Sequence, residues 1–195
     1  LPNSLMRIYP TRGDYTSERL EGLPVVVTNH RERSAFRISV TQGTKLKPII
    51  STSWDQERVT PYSYYVQIAD NTIDVSLAVS HQSAIYDFEF SNPDQPATVI
   101  LCSDNGKMNA QGSHAEGYQQ LSSSMRIFFS GEFSVKPIEC GVLRDGDIQS
   151  GQARAEGRQA SVAFRFPAGT RKVSLRYGIS LIGETQASHN LAREQ

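Results

Sequence analysis

Apolar and polar residues alternate with a period of two along most of the chain. Towards the C-terminus, for example, the apolar positions are Val173, Leu175, Tyr177 and Ile179. A period of two predicts strands with one buried face, and Gly, Pro, Asn and Asp cluster between the segments as they do in tight turns. Two packed sheets are favoured, because one open sheet of so many strands would leave an apolar face in water. The sequence therefore predicts an all-β, two-sheet antiparallel β-sandwich, with a barrel as the alternative.

The pattern also places the individual segments. Strands are predicted at residues 4–9, 23–28, 35–40, 62–69, 72–80, 84–90, 97–103, 125–133, 138–143, 160–166 and 172–179. A loop is predicted at residues 11–22. Residues 41–53 are a mixed segment with the breakers Gly43 and Pro48, and Trp54 follows in a polar loop that runs to Pro61. The turn residues Asp104-Asn105-Gly106 are predicted to end a strand, before a segment with two further short strands.

The pattern changes after Gly183. Helix formers dominate there, and Ala187 and Leu191 fall on one face of a predicted helix. Within this chain we expect the helix to have little to pack on. Residues 1–182 are therefore interpreted as the β-sandwich domain, and residues 183–195 as a linker helix that leads to a further domain.

Composition and charge exclude several classes of protein. The 20 Lys and Arg residues balance the 20 Asp and Glu residues, so no basic surplus favours nucleic acid or an anionic membrane. No apolar run reaches the roughly 18 residues of a transmembrane helix. The N-terminus lacks a leader pattern, so any signal peptide is expected to have been removed or not to be included in this sequence. A domain of 195 residues can bury a core without disulfides or metal.

The sequence lacks the motifs of nucleophilic and phosphate chemistry. Neither G-x-S-x-G nor G-x-x-x-x-G-K-[ST] occurs. Cys102 ends an apolar run and is interpreted as a buried thiol, with a Cys102–Cys140 disulfide as the alternative. Asp145 and Asp147 are interpreted as turn residues rather than as a catalytic pair. The sequence therefore assigns no catalytic residue and no metal ligand.

His30 is the best candidate for contact with a polar ligand, and the alternative for it is a solvated loop. His30 directly follows a strongly apolar strand, with Arg31 beside it, and binding loops are often found at such strand ends. Arg12 lies in the polar N-terminal loop, where Arg12-Gly13-Asp14 is interpreted as a turn rather than as an integrin ligand.

Five short segments, taken in order, carry a resemblance to a known family. They are residues 6–10 (MRIYP), 26–31 (VVTNHR), 60–65 (TPYSYY), 128–133 (FFSGEF) and 177–182 (YGISLI). In this order they resemble the N-terminal domain of glycoside hydrolase family 92, the calcium-dependent exo-acting α-mannosidases. The most diagnostic segment is the last, in which a Gly-Ile-Ser strand runs into the predicted helix.

The resemblance implies a fold and an activity. In that family the N-terminal domain is a supersandwich of the galactose-mutarotase-like kind, an (α/α)6 barrel follows it, and the active site lies in the cleft between them. Hydrolysis inverts the configuration at the anomeric carbon of the sugar. One carboxylic acid protonates the leaving oxygen, a carboxylate activates water, and a calcium ion binds the mannose. The acids and most calcium ligands belong to the barrel, so no cofactor is expected in this chain. Many members carry His-Thr-His in a cleft-facing loop; this tripeptide does not occur here, and His30 is the nearest candidate. The resemblance therefore ranks His30 first, Arg31 second and Arg12 third as substrate-binding residues.

Functions of different classes follow from these observations. The leading one is the N-terminal domain of a periplasmic or secreted α-mannosidase-like glycoside hydrolase. This domain is inactive alone and completes a cleft for mannose-containing glycans with the barrel of the same polypeptide. The alternative is a free-standing carbohydrate-binding or adhesion module, with Trp54, Tyr62, Tyr64 and Tyr65 as a sugar-stacking platform. A purely structural interaction domain is the third possibility.

Overall fold

The alternation near the C-terminus forms β14 (Lys172–Ser180), in which Val173, Leu175, Tyr177 and Ile179 are completely buried. The structure, a computed structural model, describes residues 17–27, 34–70 and 72–193, and the predicted strand at 4–9 lies outside these ranges. Within them the other elements are β1 (Arg19–Glu21), β2 (Leu23–Val27), β3 (Ser34–Thr41), β4 (Ser51–Val59), β5 (Ser63–Ile68), β6 (Ile73–Val79), β7 (Ser83–Phe90), β8 (Thr98–Gln111), β9 (His114–Gln120), β10 (Arg126–Phe133), β11 (Glu139–Arg144), β12 (Asp147–Gln149), β13 (Arg154–Arg165) and helix α1 (Glu184–Arg193).

The strands form two layers around one main core, and a smaller separate apolar cluster contains Leu46, Ile100, Leu143, Ile148 and Ala163. They are hydrogen-bonded in the order β1-β4-β5-β6-β7-β14-β10-β9-β8-β13-β11-β12, with β3 beside β8 and β2 beside β3. Rings meet between the layers: Phe36 of β3 lies 5.6 Å from Phe129 of β10, and Phe164 of β13 lies 4.7 Å from Phe133 of β10. The predicted antiparallel all-β sandwich is confirmed, although its two layers are parts of one continuous hydrogen-bonded surface.

Strand β8 connects the two layers, because it passes from one layer to the other. Its first half pairs with β3 and its second half with β9. The prediction that Asp104-Asn105-Gly106 ends a strand is wrong, because β8 runs through all three residues. A Cβ added to Gly106 would lie 2.0 Å from the Tyr118 carbonyl oxygen. The glycine therefore permits a close backbone approach in the strand rather than a turn.

The prediction of a loop around Trp54 is also wrong. These residues form β4, which pairs with β5 and, at its start, with β1. Most β4 side chains are exposed, so the strand lacks the apolar alternation from which strands are predicted. The register shifts between Asp55 and Arg58. Backbone pairing at the sheet edge, rather than the side-chain pattern, therefore defines β4.

Helix α1 packs on the outer face of β14. The side chain of Asn190 is buried and donates from Nδ2 to the Ile179 carbonyl oxygen at 2.8 Å. Lys107 Nζ lies 3.2 Å from Glu184 Oε1 at the start of the helix. The expectation that the helix has little to pack on is therefore wrong, while its role as a link to a further domain stays a prediction. No helix in the described ranges is long and apolar enough to cross a membrane.

Candidate functional site

The strands that flank His30 and Arg31 in sequence end at one rim of the sandwich. Val27 at the end of β2 pairs with Ser34 at the start of β3, and residues 28–33 connect the two. The same rim contains the β4–β5, β6–β7 and β9–β10 turns and the end of β14. We call it the β2–β3 rim. His30, Arg31 and Arg12 themselves lie outside the described residues.

Two buried tyrosines hold β2 against the opposite layer. The Tyr86 hydroxyl donates to the Pro24 carbonyl oxygen at 2.8 Å, and the Tyr177 hydroxyl donates to the Val25 carbonyl oxygen at 2.8 Å. Burial raises the pKa of both hydroxyls well above the ordinary value of 10.0. Both tyrosines therefore remain protonated donors at neutral pH and fix the strand that leads to His30.

Gln119 holds the start of β3 at the same rim. Its buried side-chain oxygen accepts hydrogen bonds from the backbone N–H of Phe36 at 2.7 Å and of Asp104 at 3.3 Å. Phe36 has a φ of 55°, which a bulky residue rarely adopts. The Gln119 amide oxygen thus stabilises the unfavourable backbone conformation of Phe36. It also links β3 to Asp104, in the part of β8 that passes from one layer to the other. A single glutamine in a strand gives no sequence signal for this role.

The aromatic residues proposed as a sugar platform do not share one face. Trp54 is half-buried and packs against the core, and Tyr64 is buried. Tyr65 points to the other side of β5, where its hydroxyl donates to Asp74 Oδ1 at 3.0 Å. Tyr62, in the β4–β5 turn, is exposed. The rings are therefore divided between the two faces of the sheet and a turn, and they form no common stacking surface.

The described residues do not fit a calcium site. Among them, no group of three or more His, Cys, Asp or Glu side chains could hold a metal ion, whereas calcium takes six to eight oxygen ligands. Cys102 and Cys140 are free thiols, so the alternative of a disulfide between them is wrong. Burial raises the pKa of Cys102 to about 11, which keeps it a thiol rather than a thiolate nucleophile at neutral pH.

A groove of about 290 Å³ lies beside α1 on the outer face of the sheet. Ala78, Ile85 and Leu191 give it an apolar lining, and Arg176 contributes a guanidinium. Its lining residues include no carboxylate, so the groove lacks the pair of acids that glycoside hydrolysis requires. The groove is therefore not a catalytic site for that reaction.

Comparison with solved structures finds the same fold in larger proteins. An inverting mannosidase of family GH92, BT2199 from Bacteroides thetaiotaomicron VPI-5482, matches 92% of this chain at 21% identity and a TM-score of 0.77. The family GH92 α-mannosidase BT3965 from Bacteroides thetaiotaomicron matches 92% at 17% identity with a TM-score of 0.77. The GH92 glycosyl hydrolase ccman5 matches 96% at 13% identity with a TM-score of 0.78. At these identities the likeness establishes the fold alone.

The match is confined to part of each relative. This chain spans 26%, 29% and 30% of the lengths of the three solved chains. Comparison with curated protein sequences gives no match. The family model described as the glycosyl hydrolase family 92 N-terminal domain, however, matches residues 15–180. Because this match covers most of the sequence, the chain belongs to the glycosyl hydrolase family 92 N-terminal domain family.

Proposed function

We propose that this chain is the N-terminal β-sandwich of an α-mannosidase-like glycoside hydrolase. The observation that carries the proposal is the family match over residues 15–180. It is supported by the fold shared with two proteins named as mannosidases, of which this chain spans 26% and 29%. In this proposal the remaining part of the polypeptide is the (α/α)6 catalytic barrel, and residues 183–195 link the two domains.

The sandwich contributes one wall of a cleft for mannose-containing glycans. His30 and Arg31 lie in the segment between β2 and β3, and both side chains can donate hydrogen bonds to sugar hydroxyls. Arg12 is assigned a weaker contact to the same ligand. Tyr86, Tyr177 and Gln119 support this assignment, because they make the strand ends next to the segment rigid. A binding loop on a rigid base loses less entropy when it binds a ligand.

The barrel supplies the two carboxylates of inverting hydrolysis, which lie about 6.5–9.5 Å apart in such enzymes. In this proposal the barrel also holds the calcium, as the family resemblance implies. The sandwich alone therefore binds sugar weakly and does not hydrolyse it. A periplasmic or secreted location of the enzyme is part of this proposal.

Hydrolysis of an aryl α-mannoside tests the proposal. The 195-residue chain should be inactive, and the polypeptide extended beyond Gln195 should be active, lose activity with a chelator and recover it with Ca²⁺. His30→Ala in the extended polypeptide should raise KM at least tenfold with a smaller effect on kcat. Activity of the short chain alone, or inactivity of the extended polypeptide on every α-mannoside, would overturn the proposal.

A further inference from the structure

One row of paired residues crosses the outer face of the sheet beside helix α1. Ala78 of β6 pairs with Ile85 of β7, and Ile85 pairs with Arg176 of β14. The row continues from Arg176 to Glu132 of β10. Residues that pair directly across antiparallel strands point to the same face, so their side chains are neighbours. The apolar half of the row therefore meets its charged half at Arg176.

Helix α1 turns the apolar half of this row into a groove. The helix packs over β14 and β10, and Leu191 on its last turn lines the groove of about 290 Å³ together with Ala78, Ile85 and Arg176. The strands thus form the floor of the groove, and the helix forms one wall. The volume is near the lower end of the roughly 300–1,000 Å³ of small-molecule sites, so the groove suits a small ligand.

The chemistry of the described lining selects the class of ligand. Val79 and Ala84 extend the apolar surface, and the polar side chains are those of Ser80, Ser83 and Arg176. The described lining contains no aromatic ring on which a sugar could stack, and no side-chain amide or carboxylate that could bind sugar hydroxyls. An apolar ligand is favoured instead, because its binding removes apolar surface from water on both partners.

The Arg176 guanidinium can bind an anion in this groove. A guanidinium carries five N–H donors. Among the described residues its ion pair is with Glu132, where Nη2 and Oε2 lie 3.6 Å apart, beyond the length of about 2.7–3.2 Å of an N–H···O hydrogen bond. The Arg176 side chain is 42% exposed and lines the groove. A ligand carboxylate can therefore accept two hydrogen bonds from it in the planar geometry that arginine favours.

We propose that this groove is a binding site for a small monocarboxylate with an alkyl tail, of the chemical class of a medium-chain fatty acid. The carboxylate binds the guanidinium of Arg176, and the tail lies between the strand residues Ala78 and Ile85 and the helix residue Leu191. The site uses none of the residues assigned to the sugar. The inference is therefore independent of the proposed hydrolase, and either can fail without the other.

Titration with octanoate, followed by NMR of the methyl groups, tests the site. The methyl signals of Ile85 and Leu191 should shift and saturate, whereas those of Ile138, which is exposed outside the groove, should not move. Octanamide has the same tail without the charge and should bind about tenfold more weakly. Equal shifts at Ile138 would show adsorption to exposed apolar side chains in general. That result, or equal affinities for octanoate and octanamide, would overturn the assignment.

Substitutions with opposite expected effects separate binding from folding. Arg176→Gln should weaken octanoate binding about tenfold. Arg171→Gln is the matched control, because it removes the same charge from an exposed residue outside the groove, and it should change the affinity by less than about twofold. Glu132→Gln should strengthen binding about two- to fivefold, because it removes the carboxylate that competes for Arg176.

The Glu132→Gln result is the decisive one, because a variant that folds poorly cannot bind octanoate more tightly. The melting temperature of each variant shows whether the sandwich is intact. Unchanged affinity in Arg176→Gln, or weaker binding in Glu132→Gln, would show that the guanidinium does not hold the carboxylate and would overturn the proposal.

Discussion

Gly178 lies directly beneath Ala187: a Cβ added to Gly178 would come within 2.4 Å of the Ala187 carbonyl oxygen and 2.6 Å of the Leu191 backbone nitrogen. Helix α1 can therefore approach β14 this closely only because residue 178 has no side chain. Ala187 is itself completely buried in this contact. The position of the helix thus depends on one glycine in the middle of a strand.

Gly178→Ala should destabilise the chain by about 1–3 kcal/mol, because the added methyl group must displace the backbone of α1. Chemical denaturation measures the difference in unfolding free energy. Gly183→Ala is the matched control, since nothing lies within 4 Å of a Cβ added there, and it should change stability by less than about 0.5 kcal/mol. Equal stabilities of Gly178→Ala and the unaltered chain would contradict the packing of α1 on β14.

Gln119→Leu should cost about 1–3 kcal/mol, because the backbone N–H groups of Phe36 and Asp104 would lose a buried acceptor. Hydrogen exchange followed by NMR should show faster exchange at both amides than in the unaltered chain. The neighbouring Gln120 makes its hydrogen bonds at the exposed surface, so Gln120→Leu should leave these two amides protected. Similar exchange in both variants would argue against a specific role for Gln119.

Stability should fall as the pH rises above about 10. The folded-state pKa values of Tyr86 and Tyr177 are raised above the ordinary 10.0, so the unfolded chain loses these protons first. Each tyrosine then reduces stability by up to about 1.4 kcal/mol per pH unit. The decline is measured by denaturation between pH 8 and 12.

The variant Tyr86→Phe/Tyr177→Phe tests the origin of this alkaline decline. It should be less stable at pH 7 by about 1 kcal/mol for each hydrogen bond lost to Pro24 or Val25. Its stability should also fall less steeply at high pH, because neither phenylalanine can ionise. An unchanged slope would mean that other groups cause the decline.

Thiol labelling at pH 8 should modify one cysteine in the folded chain. Cys102 is completely buried and its pKa is raised to about 11, whereas Cys140 is half-buried. A maleimide should therefore react with Cys140 alone under native conditions and with both thiols in guanidinium chloride. Cys140→Ser should abolish native labelling, and Cys102→Ser should leave it unchanged. Rapid native labelling of Cys102 would contradict its burial.

Much of the fold could be predicted where side chains alternate over a buried face. The predicted segments 62–69, 72–80 and 84–90 correspond to β5, β6 and β7. The predicted strand at 23–28 is confirmed as far as Val27, the last described residue before His30. The binding roles of His30, Arg31 and Arg12 stay predictions, since all three lie outside the described residues.

The sequence by itself determined which side chains face the core, because a period of two directs alternate residues to opposite faces of a strand. Only the tertiary structure decided that Trp54 lies in a strand, that β8 passes through Gly106, and that α1 lies on Gly178. It also decided the bond from Phe36 to Gln119, which are 83 residues apart. These features depend on which distant segments of the chain pack together. The local alternation of apolar and polar residues does not specify that pairing.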